Sequence, residues 1–239
     1  MSHFFSNPQF IATRLPLMAA VLFGTMVVAN ATPAWAVEAA EQQELVDKAK
    51  MTVETFFADP GVRTQISKLK SETRALFIVP QFLRGAFVFG GAGGSGVLIV
   101  RDEKTKKWSE PAFYTMGSAS FGLQIGGDVS EMIFLVRNQK GLEEFYRSDF
   151  KLGADASIAL GPVGEGSHGK GMTGDLIGYA KKKGAFVGMA VDGSFISVSD
   201  ESNADYYGKA VRPTDIIVKQ TVSNPKSADL RNAADKLMQ

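Results

Sequence analysis

The run Gly90-Gly91-Ala92-Gly93-Gly94-Ser95-Gly96, followed without a break by Val97-Leu98-Ile99-Val100, constrains this chain more than any other segment. Gly91, Gly93 and Gly96 satisfy G-x-G-x-x-G. A dinucleotide site, however, needs a helix directly afterwards, whose N-terminal amides and dipole hold the pyrophosphate. A β-branched run forms strand instead. The glycines are therefore read as positions where the backbone turns or packs closely between strands, and no nucleotide cofactor is expected.

The glycines mark a region. All of the 25 except Gly24, Gly61 and Gly208 lie between Gly85 and Gly193, and such density suits tightly curved, closely packed strands. Within it, residues 75–79, 86–89 and 97–100 are rich in strand formers. Met132-Ile133-Phe134-Leu135-Val136 has no polar face, which predicts a strand buried on both sides. Residues 102–107, Asp-Glu-Lys-Thr-Lys-Lys, form a polar hairpin tip between Val100 and Trp108. Residues 157–160 return to strand, 164–174 form a glycine-rich loop, and 185–191 with 194–198 form a hairpin around Asp192-Gly193.

Helices bracket these strands. Leu45, Ala49, Val53, Phe56 and Phe57 recur at helical spacing over 38–58, ended by Asp59-Pro60-Gly61, and a weaker helical stretch follows over 62–73. Asn138 is placed as the N-cap of a short helix over 139–148. A helical turn over 213–218 and a last helix over 227–238, carrying Leu230, Ala234 and Leu237, close the chain. Strands grouped between helices indicate an α+β fold: a curved, glycine-rich antiparallel β-sheet or barrel flanked by N-terminal and C-terminal helices.

The N-terminus carries Arg14, an apolar run over 15–29, and Ala34-Trp35-Ala36 before Val37-Glu38. This predicts a secretory signal peptide over 1–36, cleaved after Ala36. The alternative is an uncleaved anchor of roughly spanning length, against which Gly24, Asn30 and Pro33 count. A single domain over 37–239 is expected, periplasmic or secreted, possessing no cysteine for a disulfide framework. Removing residue Arg14 with the signal leaves 25 basic residues against 25 acidic ones. That balance gives no bulk attraction to nucleic acid, so an anionic partner has to meet a local patch.

Enzyme chemistry finds little footing. The stretch at 164–170 satisfies G-x-x-x-x-G-K, but Gly171 stands where a phosphate loop needs Ser or Thr for magnesium. His3 leaves with the signal, so His168 is the one histidine left for a triad or a zinc site. Ser167 lacks the G-x-S-x-G elbow. Asp155, Glu165 and Asp175 lack the ligand rhythm of a calcium loop. No catalytic residue, metal or cofactor is assigned.

Two basic clusters remain: Arg101 with Lys104, Lys106 and Lys107, beside Trp108, and Lys181, Lys182 and Lys183. Near an anionic bilayer each such residue contributes about 1 kcal/mol. These eight are the candidate lipid-binding residues; the bland alternative is a solubilising face at each turn, with Trp108 in the core.

The glycine block, Phe121-Gly122-Leu123-Gln124-Ile125-Gly126, Gly161-Pro162-Val163-Gly164, Tyr179, Lys183-Gly184-Ala185-Phe186-Val187-Gly188, Asp192-Gly193-Ser194 and Tyr206-Tyr207-Gly208 together resemble the SYLF domain family, over about residues 75–218. The resemblance implies a non-enzymatic module. Eukaryotic members bind lipid and actin, often beside a Src-homology-3 domain, while bacterial members look like exported single-domain proteins. It makes a phospholipid or membrane surface the expected partner, with an envelope protein as the alternative and no nucleic acid or nucleotide.

Overall fold

Strand β1 (Ala75–Ala86) is hydrogen-bonded along nearly its whole length on both edges, to β2 (Phe89–Val100) and to β4 (Gly126–Val136). The computed structural model describes residues 34–86, 89–121, 126–161, 173–188 and 191–238, all within one compact unit, Pro33–Gln239. The expected signal segment up to residue 33, the 164–170 motif with His168, and residues 122–125 lie outside the described residues. Helix α1 (Ala34–Ala58) includes the bond after Ala36.

Outward from β1, β3 (Ala112–Phe121) continues the sheet beyond β2, and β7 (Leu176–Lys182) continues it beyond β4. One flank ends with β9 (Phe195–Val198) and β5 (Asp149–Lys151), the other with β6 (Ile158–Leu160) and β8 (Ala185–Val187), both on β7. The sheet curls into a half-barrel with helices from both ends of the chain against it. It is mixed, since β6 and β7 run parallel. The chain between them, from Gly161 to Asp175, is long enough for the crossover that a parallel pair requires.

The glycines at 90–96 do not turn the chain. They lie within β2, paired to β1 on one side and β3 on the other. Pro80 explains why two of them must be glycine. It removes a ladder donor from a central strand, which is tolerated at a bulge, and both ladders of β1 shift register around it, between Val79 and Phe82 on the β4 side. The bulged carbonyls press on β2: a Cβ at Gly94 would lie 2.2 Å from the Gln81 carbonyl oxygen, and one at Gly96 2.7 Å from that of Ile78. Residues 86–89, expected as one strand, are divided between the end of β1 and the start of β2.

The hairpin expected around Asp192-Gly193 does not form. Instead β8 folds back on β7 through Lys183-Gly184, both with positive φ (48° and 81°), the backbone of a two-residue hairpin turn. The Asp192-Gly193 turn docks on Leu152, whose N–H donates to the Ser194 carbonyl (2.9 Å) and whose carbonyl accepts from the Gly193 N–H (2.8 Å). Strand β9 then pairs with β3 and β5.

Strand alternation divides the core into two. Phe77, Val79, Leu98, Tyr114 and Phe134 point into the half-barrel, where α3 (Gln139–Glu144) and Phe145 close on them. The Tyr114 hydroxyl donates to the Phe145 carbonyl (2.7 Å), and burial pushes its pKa well up. Leu76, Ile78, Val97, Ile99, Phe113 and Ile133 point outward, beneath α1, α2 (Pro60–Leu69), α4 (Asp200–Tyr207) and α5 (Ala228–Leu237). The run from Met132 to Val136 thus packs on both faces, as its composition demands. Caps hold two helix starts. Asp59 accepts from the Val62 N–H (2.9 Å) at α2, and Asn138 from the Gly141 N–H (2.8 Å) at α3.

Candidate functional site

Three apolar strand runs carry an arginine at one end, and the sheet brings those ends together. Ala75 lies opposite both Val100 and Val136, so Arg74, Arg101 and Arg137 form one row across β1, β2 and β4. The ladder reaches them: the Arg74 N–H donates to the Val136 carbonyl (2.8 Å) and the Arg101 N–H to the Arg74 carbonyl (2.7 Å). Neighbouring members of such a row stand about 4.8 Å apart at the backbone. Like charges directly opposite repel, and two carboxylates offset this repulsion, Glu103 pairing with Arg74 and Glu72 with Arg137.

The row lines a cleft of about 1200 Å³. Lys70, Arg74, Arg101, Lys106 and Arg137 line it together with Glu72, Asp102, Glu103 and Asp175. Asp175 organises the wall beside Arg137, whose N–H donates to the Asp175 carbonyl (2.9 Å). Its burial works against charge, but hydrogen bonds from Asn138 Nδ2 (2.8 Å), the Ser157 N–H (2.9 Å), Ser157 Oγ (2.7 Å) and Lys140 Nζ (3.1 Å) outweigh it. They hold the carboxyl well below the usual carboxylate range.

Beside the cleft stands the hairpin tip foreseen from the sequence. Asp102 Oδ1 accepts from the N–H groups of Lys104 (3.0 Å) and Thr105 (2.6 Å) and from Thr105 Oγ1 (2.9 Å), which fixes the turn and lowers the Asp102 pKa. Lys104, Lys106 and Lys107 are exposed on it. Arg101 is half-buried; its Nε donates to the Lys106 carbonyl (3.2 Å), and its guanidinium lies 6.0 Å from the centre of the Trp108 ring. Trp108 is a core residue, 5% exposed, in the cluster beneath the outer helices.

The second lysine cluster lies elsewhere. Lys182 is opposite Ser130 on β4, six residues from Val136 along that strand, about 20 Å from the arginine row. Its Nζ pairs with Asp128 (2.6 Å), Lys181 Nζ sits 5.5 Å from the centre of the Phe186 ring, and Lys183 is exposed in the turn. The structure therefore joins Arg101, Lys104, Lys106 and Lys107 to Arg74 and Arg137, and separates Lys181, Lys182 and Lys183 from them.

Arg74 and Arg137 were missed from the sequence, although a signal existed. Thr-Arg-Ala-Leu-Phe-Ile-Val begins with its arginine, whereas Val-Leu-Ile-Val-Arg and Ile-Phe-Leu-Val-Arg end with theirs. Antiparallel pairing of the first run with the other two puts all three arginines at one end.

A second cleft, of about 810 Å³, adjoins the first, and Arg74, Arg101, Asp102 and Glu103 line both. Its walls are Val100, Leu142, Tyr146, Ile216, Ile217 and Val222, at the mouth of the half-barrel. Glu110, 8% exposed, also lines it, accepting from Ser223 Oγ (3.1 Å) and Ser227 Oγ (2.6 Å) and 3.5 Å from Arg231 Nη2.

Comparison with known proteins identifies the fold family. Residues 117–237, from β3 through α5, match the family model described as "Ysc84: Las17-binding protein actin regulator". The chain is 31% identical over 155 residues to "Protein YSC84" of Saccharomyces cerevisiae, covering 62% of this chain and 32% of that one. It is 31% identical over 163 residues to the yeast "LAS seventeen-binding protein 3" (65% and 34%), and 27% identical over 157 residues to the human "SH3 domain-containing YSC84-like protein 1" (64% and 46%). It thus matches between about a third and a half of the length of these relatives. With half of its length under the family model and the glycine-rich half-barrel beneath it, the chain belongs to the Ysc84 (SYLF) domain family.

Proposed function

We propose that the chain is a non-enzymatic lipid-binding module that docks anionic phospholipid headgroups at the arginine-lined end of its sheet. The observation that carries this reading is the row Arg137–Arg74–Arg101 with Lys104, Lys106 and Lys107 exposed beside it. Guanidinium groups suit phosphate because their planar donor forks match its oxygens. Exposed lysines each add about 1 kcal/mol near an anionic surface, a contribution that salt screens. The apolar run and Ala34-Trp35-Ala36 at the N-terminus support action in a bacterial periplasm or outside the cell after cleavage behind Ala36. N-terminal sequencing of the exported protein tests that step.

Flotation with vesicles of defined anionic content tests the docking. Binding that rises with anionic lipid and falls with salt supports the reading, and absence of binding at low salt ends it.

One observation favours a second reading, a protein-interaction module of the envelope. Val129, Leu83, Gly93, Gly117 and Phe195 form a single row across five strands, and its three apolar side chains are exposed. The names of the relatives, which include Las17 binding, agree with a protein partner. Crosslinking from position 83 or 195 to one recurrent envelope protein, with no vesicle binding, would establish this reading instead.

A further inference from the structure

We infer that the arginine cleft and the groove beside it form one site for a single amphiphile, with a phosphate-bearing head at the arginines and an aliphatic tail in the half-barrel mouth. This rests on the lipid-binding reading and narrows it from a surface to a site that holds one molecule.

Continuity between the two clefts is the first argument. Arg74, Arg101, Asp102 and Glu103 line both, so a head held by the two arginines lies at the entrance of the groove. The groove is apolar where a tail would run: Val100, Leu142, Ile216 and Ile217 are buried parts of the half-barrel core, and Tyr146 and Val222 pack against it. Pockets that bind small molecules combine such apolar walls with a few convergent polar groups, and barrel mouths are a common place for them.

The second argument concerns donors. Trp108 Nε1 and Arg231 Nε are buried and make no hydrogen bond among the described residues, and both residues line this groove. Buried donors are nearly always satisfied. Both nitrogens are closed off from the groove, so a phosphate-ester oxygen, an acceptor of the kind these N–H groups take, reaches them when a side chain of the groove moves aside.

The third argument is charge. Glu103 sits on the hairpin tip and pairs with Arg74 where the cleft and the groove meet. A phosphate monoester carries more charge than one carboxylate, so it competes for Arg74 while leaving Glu103 free to turn toward the tip lysines.

The test uses the full chain carrying Trp35→Phe, which leaves Trp108 as its one tryptophan. Decyl phosphate, below its micelle concentration, is titrated against tryptophan emission and by calorimetry, with inorganic phosphate and decanol as the comparison ligands. The inference expects saturation at one decyl phosphate per chain with a change in Trp108 emission, and binding of either comparison ligand more than about tenfold weaker. Arg74→Gln should weaken decyl phosphate without changing decanol, and Val222→Glu should weaken both; Arg101→Gln replaces Arg74→Gln if that variant does not fold. Equal affinity for decyl phosphate and decanol, non-saturable uptake, or unchanged binding in folded Val222→Glu overturns it. If vesicle flotation survives in Val222→Glu while decyl phosphate never saturates, headgroup docking stands and the one-molecule site falls. Saturable decyl phosphate binding without vesicle flotation is the reverse result: the site stands and the membrane-docking reading falls.

Discussion

Asn203 bonds both backbone groups of Phe113: its Oδ1 accepts from the Phe113 N–H (3.0 Å) and its Nδ2 donates to the Phe113 carbonyl (3.2 Å), which the Ser199 N–H also reaches (3.0 Å). Strand β9 covers the edge of β3 only from Tyr114 to Gly117, so Phe113 lies just beyond the ladder. Asn203 is fully buried on α4, and its Nδ2 also reaches the Ser199 carbonyl (2.8 Å). One side chain thus joins the helix layer to the sheet edge.

Asn203→Ala leaves the buried Phe113 N–H without a partner and takes one of two donors from the Phe113 carbonyl, which keeps the Ser199 N–H (3.0 Å). The expected loss is about 1–3 kcal/mol of unfolding free energy, read by urea denaturation. Asn203→Asp should also destabilise, because a carboxylate cannot donate to the Phe113 carbonyl.

The glycines of the G-x-G-x-x-G match should separate by position rather than by motif. Gly96→Ala sets a methyl 2.7 Å from the Ile78 carbonyl and 2.8 Å from the Phe77 ring, so it should cost about 3 kcal/mol. Gly91→Ala meets nothing within 4 Å and should be neutral or stabilising by up to about 1 kcal/mol. A nucleotide loop would have made both costly to ligand binding; here thermal denaturation alone should tell them apart.

Asp175 gives the fold a defined acid sensitivity. Its carboxyl is held below the ordinary carboxylate value, which is about 3.9 for a free aspartate. The ionised form is the one the fold favours, so its contribution is complete above about pH 4 and is lost as the pH falls toward the lowered value. Asp175→Asn should therefore cost about 1–3 kcal/mol at neutral pH, and the gap between variant and parent should shrink below about pH 4. Urea midpoints across that range measure it.

Much of this architecture was legible because local chemistry agreed with the fold. Asn138 capped the helix assigned to it, the 102–107 tip formed as a tight turn, and the all-apolar run at 132–136 packed on both faces. Long-range pairing was not legible. Lys183 takes a positive φ that its side chain does not advertise, so the β7–β8 hairpin was overlooked in favour of the Asp-Gly signal at 192–193. Helix α4 was overlooked because it buries only Asn203 and Tyr206, too few for an apolar period. The same gap hid the site: Arg74, Arg101 and Arg137 are far apart in sequence and meet only through the register of β1 with β2 and β4. That register also parts Lys181, Lys182 and Lys183 from the other candidates, a division that composition could not foresee.

The most direct test of headgroup docking compares two charge reversals by flotation with anionic vesicles at low salt. Lys104→Glu with Lys107→Glu alters exposed residues of the hairpin tip, and Lys181→Glu with Lys183→Glu alters the distant cluster. The account predicts that the first pair weakens binding at least about tenfold, while the second leaves it near the parent value. Retained binding in the first pair together with loss in the second would contradict it.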